Sequence, residues 1–257
     1  MTHFMQNWTD RVPKFIKKFA VAVIYLAAWQ GLSGIVGKAL LLPGPFETVM
    51  RLFALLRQSE TWIAAGATLL RVLDGYALGV IGGTALAALT ARSRILDAVL
   101  RPLRGIVKAT PVTSFILLAL LWLSSGLVPV CISFLMVLPI VWMNLHEALA
   151  GVDPQLLEMA AAFHLPWRTR FSRITVPSVK PQFLAACTTS LGFAWKSGVA
   201  AEIIALPKRS VGSALYLSKL TLETADLFAW TLLVILLSML LEGLLVFLLG
   251  RIRNDRA

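Results

Sequence analysis

The feature that most constrains this chain is an uncharged stretch, residues 109–145, in the middle of its 257 residues. A stretch of this length without a single Asp, Glu, Lys or Arg has to be removed from water. The rest of the chain cannot cover it, because 58% of all residues are hydrophobic, 14% are charged and the mean hydropathy is +0.80. Soluble, disordered, disulfide-stapled and coiled-coil chains have a different composition. The sequence therefore predicts a membrane protein with lipid as its solvent.

Six stretches are apolar enough to cross the hydrocarbon core of a bilayer, which is about 30 Å thick and takes about 20 helical residues. They are residues 19–37, 62–91, 109–127, 129–145, 182–196 and 227–249. Gly126 and Pro129 mark a turn that divides the uncharged stretch into two spans. The sequence therefore predicts an all-α polytopic protein, with a single transmembrane domain over residues 1–257 that contains six transmembrane helices.

The basic residues indicate the orientation of these spans. The chain carries 24 Lys and Arg against 13 Asp and Glu, a formal charge of +11. The excess lies in four regions, residues 11–18, 92–108, 168–180 and 251–256. Basic residues accumulate on the cytoplasmic side of membrane spans, so we interpret the charge as topological and not as a nucleic-acid site. All four regions lie on one side only if the number of spans is even, which predicts that both termini are cytoplasmic.

The segment between the fourth and fifth spans, residues 147–180, is too polar to span a membrane and too apolar for a solvated loop. Asp153 is suited to cap a short helix that begins at Pro154 and continues through the alanines at 160–162. A triple alanine run gives such a helix a narrow, smooth ridge. The segment is therefore predicted to hold a short cytoplasmic helix.

A second short helix is predicted to begin at Pro166 and to be ended by Pro177 and Pro181. Two interpretations of the segment are open from these residues alone. The alanine ridge suits a groove in a partner protein, whereas an amphipathic helix on the membrane surface would place three arginines at lipid headgroups. These arginines are Arg168, Arg170 and Arg173.

The stretch from Glu158 to Pro177 resembles the EAA loop of ABC importer permeases, whose pattern is E-A-A, three residues, G, nine residues, I-x-L-P. The spacing fits, and four positions match: Glu158, Ala160, Ile174 and Pro177. Three positions differ: Met159 replaces Ala, His164 replaces Gly and Val176 replaces Leu. Glycine adopts the left-handed backbone conformation freely, whereas His164 reaches it at some cost. Residues 147–180 are called the EAA-like loop below.

The resemblance extends over residues 42–249 and points to the permeases of the nitrate, sulfonate and taurine group. The similar motifs are Leu42-Pro43-Gly44-Pro45, Thr68-Leu69-Leu70-Arg71-Val72, Gly75-Tyr76-Ala77-Leu78-Gly79, and Leu191-Gly192-Phe193-Ala194-Trp195-Lys196 followed by Ala200-Ala201-Glu202. The resemblance implies a multi-pass permease of the cell inner membrane. Such a permease forms a solute path and is not itself an enzyme.

The resemblance also implies partners. They are a second copy of the permease, two cytoplasmic ABC ATPase subunits, an extracytoplasmic solute-binding protein and membrane lipid, without nucleic acid. ATP and Mg are implied to bind to the ATPase, and this chain is expected to hold no cofactor and no metal. Consistently, its sequence contains no GxxxxGK[ST] phosphate loop.

Candidate site residues fall into two groups. The helix from Pro154 is implied to insert into the ATPase, and the implied coupling residues are Glu158, Met159, Ala160, Ala161, Ala162, His164, Ile174 and Pro177. Polar groups inside spans are costly and so indicate a translocation path. The path candidates are Thr110, Thr113, Ser114, Asn144, Ser190, Trp195, Lys196 and Glu202. For any single Ser or Thr, bonding to its own helix backbone is the alternative.

Lys196 and Glu202 are expected to face each other near the external mouth, where an anionic solute could meet the lysine or the two form a structural ion pair. The substrate is expected to be a small organic anion such as a sulfonate, taurine or nitrate, although the same group of permeases also carries pyrimidine and riboflavin-like compounds. The glycines within residues 75–91 predict close helix packing, inside the subunit or at a dimer seam.

Two other functions compete with an ATP-driven importer. An ATP-independent secondary transporter or channel would be expected to show paired intramembrane charges or inverted repeats, and the sequence shows neither. An intramembrane enzyme would need a catalytic grouping, and the sequence contains no Ser-His pair or metal-ligand cluster. Cys131 and Cys187 are expected to be small buried hydrophobes.

Overall fold

The computed structural model describes residues 14–38 and 40–254, and this part of the chain is helical without any strand. The helices are α1 (Lys14–Val36), α2 (Pro45–Leu56), α3 (Ser59–Arg92), α4 (Arg94–Ala109), α5 (Val112–Trp122), α6 (Val128–Ala150), α7 (Pro154–Ala162), α8 (Trp167–Arg170), α9 (Val176–Ala205), α10 (Val211–Leu220) and α11 (Thr224–Asn254), with a π-helical turn at Phe171–Thr175. The predicted all-α class is confirmed.

The packing of α3 on α6 rests on three glycines spaced four residues apart. A Cβ added at Gly79 would lie 2.6 Å from the Cβ of Val137, and one at Gly83 would lie 2.9 Å from the carbonyl oxygen of Leu138. A Cβ at Gly75 would overlap the α6 backbone. Because later glycines meet later residues of α6, the two helices run parallel. These glycines therefore serve close packing inside the subunit, which resolves the alternative left open by the sequence.

Helix α9 crosses this pair in the opposite direction. Its Gly198 is packed against Val72 of α3, and nearer its start the carbonyl oxygen of Cys187 accepts a hydrogen bond of 3.1 Å from the hydroxyl of Tyr76. The C-terminal ends of α3 and α6 and the start of α9 thus lie on the same side of the molecule. The EAA-like loop, which joins α6 to α9, lies on this side as well.

The glycine contacts predict a difference between two alanine substitutions on α3. Gly79→Ala is expected to lower the stability of the subunit by about 1–3 kcal/mol, because a methyl group has no room against Val137. Gly66→Ala is the matched control, since no atom lies within 4 Å of a Cβ at that position. Thermal unfolding in detergent measures both, and equal melting temperatures would contradict tight packing at Gly79.

The predicted spans can be compared with the helices that have the length and composition to cross a membrane. Within the described residues these are α3, α6 and the part of α11 from Thr224 to Arg251, and the bent pair α4 and α5 makes a fourth if it counts as one broken span. The apolar part of α1, Ala20–Val36, is shorter. Three to four spans are therefore present on this criterion, and the predicted spans 62–91, 129–145 and 227–249 each coincide with one long helix.

The predicted span 109–127 is interrupted. Ala109 is the last residue of α4, α5 covers Val112–Trp122, and the two helices meet at a bend of 102°. Pro111 explains the break, because a proline disfavours helical geometry in the preceding residue, and Thr110 is extended with φ −80° and ψ 127°. The predicted span 109–127 is therefore not one continuous helix, and its crossing of the membrane stays a prediction.

The predicted end of the second loop helix is wrong. The helix does not stop at Pro177 and Pro181 but continues as α9 to Ala205. Pro177 lies in the first turn of α9, directly after the π-helical turn, and Pro181 lies inside α9. Before it, the π-helical turn closes with a hydrogen bond from the N–H of Val176 to the carbonyl of Phe171.

Candidate functional site

The first helix of the EAA-like loop, α7, begins as its sequence predicts. The carboxylate of Asp153 accepts a hydrogen bond of 2.8 Å from the backbone N–H of Gln155, and Pro154 occupies the first helical position. The helix is nine residues long. Its start is thus set by local sequence alone.

The end of α7 is formed by His164 in the left-handed conformation, with φ 51°. The N–H of His164 donates to the carbonyl of Ala161 at 3.0 Å, and the N–H of Leu165 donates to the carbonyl of Ala160 at 2.9 Å. These two bonds form a Schellman motif, which satisfies the last carbonyls of the helix. The expectation that His164 adopts the conformation of the glycine it replaces is confirmed.

The effect of a substitution at His164 on stability should therefore depend on how well the new residue tolerates the left-handed backbone conformation. His164→Gly is expected to keep or raise stability by up to about 1 kcal/mol, because the left-handed conformation costs an L-residue about 1–2 kcal/mol. His164→Val is expected to be destabilising, since a branched Cβ is least tolerated there. Melting temperatures of the purified variants measure both effects, and a Val variant as stable as the Gly variant would contradict this account.

One side of α7 is buried in its own subunit. Ala160 is 1% exposed and Ile174 is 8% exposed, and both pack in a cluster with Ala87, Trp142 and Leu145 from the ends of α3 and α6. The predicted role of Ala160 in contacting a partner is therefore corrected, because its side chain already fills this cluster. Ala160 and Ile174 instead attach the loop to the two central helices.

The other side of α7 is exposed and includes large apolar side chains. Met159 is 46% exposed, Phe163 73% and Trp167 72%. We call the exposed set the loop face; it consists of Glu158, Met159, Ala161, Ala162, Phe163 and Trp167. Sequence reasoning selected four of these residues but not the two aromatic ones. An apolar patch this concentrated on a short loop is typical of a protein contact surface.

A buried polar network lies in the N-terminal half of α3, away from the EAA-like loop. Glu202 of α9 is fully buried and accepts hydrogen bonds of 2.8 Å from the hydroxyl of Thr68, 2.9 Å from Arg71 Nη1 and 3.1 Å from the N–H of Gly212. Arg71 also donates to the carbonyl of Lys208 at 3.0 Å. The network therefore joins α3, α9, the turn after α9 and the start of α10.

Glu202 therefore pairs with Arg71 and not with Lys196, which corrects the expectation from the sequence. Sequence reasoning treated Arg71 only as part of a motif. The sequence did contain a signal for a partner of Arg71, because an arginine inside a predicted span is costly and needs one. Lys196 is exposed on α9 and forms no ion pair within the part of the chain that the structure describes.

The other path candidates divide by burial. Ser190 is fully buried and donates to the carbonyl of Cys187 at 3.1 Å, and Trp195 is 2% exposed in the core. Burial separates Ser190, Trp195 and Glu202 from any surface that a solute could reach, so these three are corrected to packing and pairing roles. Thr110, Thr113, Ser114, Asn144 and Lys196 are partly or fully exposed, with Thr110 and Asn144 donating to carbonyls of their own helices at 2.8 and 2.7 Å.

Comparison with known proteins identifies the family of this chain. Residues 79–256 match the family described as binding-protein-dependent transport system inner membrane component. The chain belongs to this family. It is therefore the membrane permease subunit of an ABC transporter, lies in the inner membrane and is not itself an enzyme. A component of this family acts with a solute-binding protein and an ATPase.

Individual relatives agree with the family. The chain is 26% identical over 193 residues to the aliphatic sulfonates transport permease SsuC of Bacillus subtilis, a match covering 74% of this chain and 70% of that one. It is 30% identical over 168 residues to an ABC transporter permease protein of Brucella melitensis, covering 65% and 68%. It is 26% identical to the bicarbonate transport permease CmpB of Synechocystis, covering 54% and 50%.

A solved structure shares the fold of this permease. An amino acid ABC transporter crystallised with histidines superposes with a TM-score of 0.58 at 15% sequence identity, covering 72% of this chain and 88% of that one. Identity this low supports the fold alone. The family assignment excludes the ATP-independent transporter and the intramembrane enzyme that competed at the level of sequence.

Proposed function

We propose that two copies of this permease form the translocation path for a small anion and that the loop face couples the path to ATPase subunits that bind ATP and Mg. The observation that carries the proposal is the loop face itself. It presents exposed small side chains on α7 and exposed aromatic side chains at Phe163 and Trp167 just after it, while the other side of α7 is buried against the ends of α3 and α6. A contact there would move both central helices together.

The proposed topology has six spans with both termini in the cytoplasm. The spans are α1, α3, α5 with its flanking residues, α6, α9 and α11. The parallel course of α3 and α6 and the antiparallel course of α9 support alternate crossings, with the EAA-like loop and the basic regions on the cytoplasmic side. The Arg71–Glu202 network then lies toward the external side.

The exposed face of α9 is the proposed wall of the path. Lys196, Thr189 and Phe193 are exposed there, whereas most of the helix is buried. An ammonium group facing lipid is costly, so Lys196 requires water or an anionic partner. A cavity between two copies of the permease would supply both. The remaining exposed polar candidates near α5, Thr113 and Ser114, would line its cytoplasmic part.

The substrate class follows from Lys196 and from the relatives. An exposed lysine in a narrow path favours an anion over a neutral or cationic solute. SsuC is named for aliphatic sulfonates and CmpB for bicarbonate, both of them anions. We therefore propose a sulfonate, taurine, nitrate or bicarbonate ion as the solute.

The proposed path predicts a charge requirement at Lys196. Lys196→Gln is expected to lower the rate of uptake of the anion about tenfold, and Lys196→Arg to retain most of it, because the loss of one attractive charge in a partly dehydrated path costs on the order of 1–2 kcal/mol. Uptake into proteoliposomes measures both. Lys208→Gln, at another exposed lysine outside α9, serves as the control. Equal uptake by the Gln and Arg variants would show that the charge is not used.

Reconstitution tests the proposed function as a whole. The permease is purified with the ATPase and the solute-binding protein of its transporter and placed in liposomes with radiolabelled taurine, methanesulfonate, nitrate or bicarbonate. The expected result is uptake of one of these anions that depends on ATP and on the binding protein. Uptake of a neutral pyrimidine in place of every anion would overturn the substrate class. Uptake without ATP would overturn the coupling role.

A further inference from the structure

Helix α4 turns Asp97 and Arg104 toward its own subunit. Asp97 accepts hydrogen bonds from Arg101, at 2.8 Å, and from Arg104, and the Nε2 of His146 in α6 lies 3.7 Å from the same carboxylate. The guanidinium of Arg104 is stacked over the ring of Trp142, 4.9 Å from its centre. The hydrogen bond from Arg101 is the main cause that lowers the pKa of Asp97. The carboxylate is thus held in its charged form.

This cluster continues to α3. The Trp142 indole N–H donates to the hydroxyl of Thr90 at 3.0 Å, and the Nδ1 of His146 lies 2.9 Å from the same oxygen. Three helices are therefore connected through one set of polar contacts: α4, α6 and the end of α3. The carboxylate of Asp97 on α4 is thus paired within the chain.

The opposite side of α4 is apolar and uncovered. Ile95 is 77% exposed, Val99 65%, Leu103 49% and Ile106 58%. The spacing of four, four and three residues places these side chains on one face of the helix. A soluble helix would bury this face and expose its charges, so the arrangement requires an apolar environment outside the subunit.

The direction of α4 indicates what that environment is. Its 102° bend against α5 turns it away from the direction of a span, and it follows directly after α3 on the side of the EAA-like loop. Arg94 and Arg101 are exposed on it, the latter with 74% of its side chain accessible. An apolar face with exposed arginines on the opposite, polar side is typical of helices that lie in the membrane interface.

We propose that α4 is an interfacial helix that inserts its apolar face into the cytoplasmic leaflet and binds anionic phospholipid headgroups through Arg94 and Arg101. The charge pattern favours lipid over a second copy of the chain. A second copy packed on the apolar face would offer no complementary charge to these arginines on the polar side, whereas phosphate groups complement them. The polar cluster then fixes the core of the subunit to the bilayer surface.

Spin-label accessibility tests the placement. In the full chain, with Cys131 and Cys187 replaced by Ala, a nitroxide is attached at Val99→Cys or, as a control on exposed α7, at Gln155→Cys. In nanodiscs, the label at 99 is expected to be about fivefold more accessible to oxygen than to a water-soluble nickel complex, as for a side chain inserted below the headgroups. The label at 155 should show the reverse preference.

Two outcomes would overturn the placement. A label at 99 that favours the nickel complex would show that the face is in water. A label that is shielded from both reagents and dipole-coupled to its counterpart would show that a second copy covers the face. The label at 155 also reports whether the fold is retained. Its spectrum should be the same with and without the substitutions in α4.

Lipid charge tests the second part of the proposal. The depth of the label at 99 is compared in phosphatidylcholine nanodiscs with and without phosphatidylglycerol. The anionic lipid is expected to draw the label deeper, and Arg94→Gln is expected to remove at least half of that shift. Arg57→Gln, an exposed arginine outside α4, should leave it unchanged. An identical depth in both lipids would refute anionic recognition by α4.

Discussion

Arg71→Leu is expected to lower the free energy of unfolding by about 3–5 kcal/mol, because it leaves the carboxylate of Glu202 buried without its charged partner. Glu202 has no exposed side-chain surface, and that of Arg71 is 19% exposed. The variant also loses the hydrogen bond that holds the turn at Lys208. The measurement is the melting temperature of the detergent-solubilised subunit, together with the fraction that elutes as a monodisperse peak.

A second ion pair of the same chemistry provides the matched control. Arg51 pairs with Asp226, but the side chain of Arg51 is 49% exposed. Arg51→Leu should therefore cost at most about 1 kcal/mol. Equal stability of the two variants would contradict the prediction that burial of Glu202 makes the loss of its charged partner costly. The double variant Arg71→Leu/Glu202→Leu is expected to recover part of the loss, because no unpaired charge remains.

Glu158→Lys is expected to abolish ATP-driven uptake while the amount of permease in the membrane stays normal. The substitution reverses a charge on the exposed loop face and removes no contact in the core. Leaving an interfacial charge unpaired or opposed costs about 2–5 kcal/mol, which is at least tenfold in affinity for the ATPase. Uptake into membrane vesicles and co-purification of the ATPase measure the two consequences separately.

Two further variants define the specificity of this result. Ala161→Trp should act like Glu158→Lys, because the indole enlarges the small-residue part of the loop face. Gln155→Lys changes the charge at an exposed position one turn earlier, and its uptake should match that of the unmodified permease. Normal uptake by Glu158→Lys, or equal loss with Gln155→Lys, would contradict coupling through the loop face.

Much of the fold was predictable because its determinants are local. Apolar runs give the long helices α3, α6 and α11, and Asp153 with Pro154 gives the start of α7. The bend before α5 also has a local cause, since Pro111 restricts the backbone of Thr110. It was not predicted because residues 109–127 are uncharged throughout and suggested a single span.

The site was less predictable because burial depends on distant neighbours. Arg71 and Glu202 are 131 positions apart, and only the antiparallel course of α9 on α3 brings them together. The role of Ala160 was equally hard to predict, because a small side chain fits a contact with a partner protein as well as a buried contact within the subunit. The two aromatic residues of the loop face were missed because Phe163 and Trp167 look like core residues in the sequence.

The glycine contacts between α3 and α6 have a mechanical consequence. Helix α3 has 34 residues and is about 50 Å long, and its middle cannot approach or slide past α6 without a clash between backbones. A displacement of Ala160 and Ile174 is therefore transmitted along α3 to the region of Arg71, because the α3–α6 pair does not deform. We expect the subunit to tilt as one stiff body, so that the gap that opens and closes lies between subunits and not between the central helices.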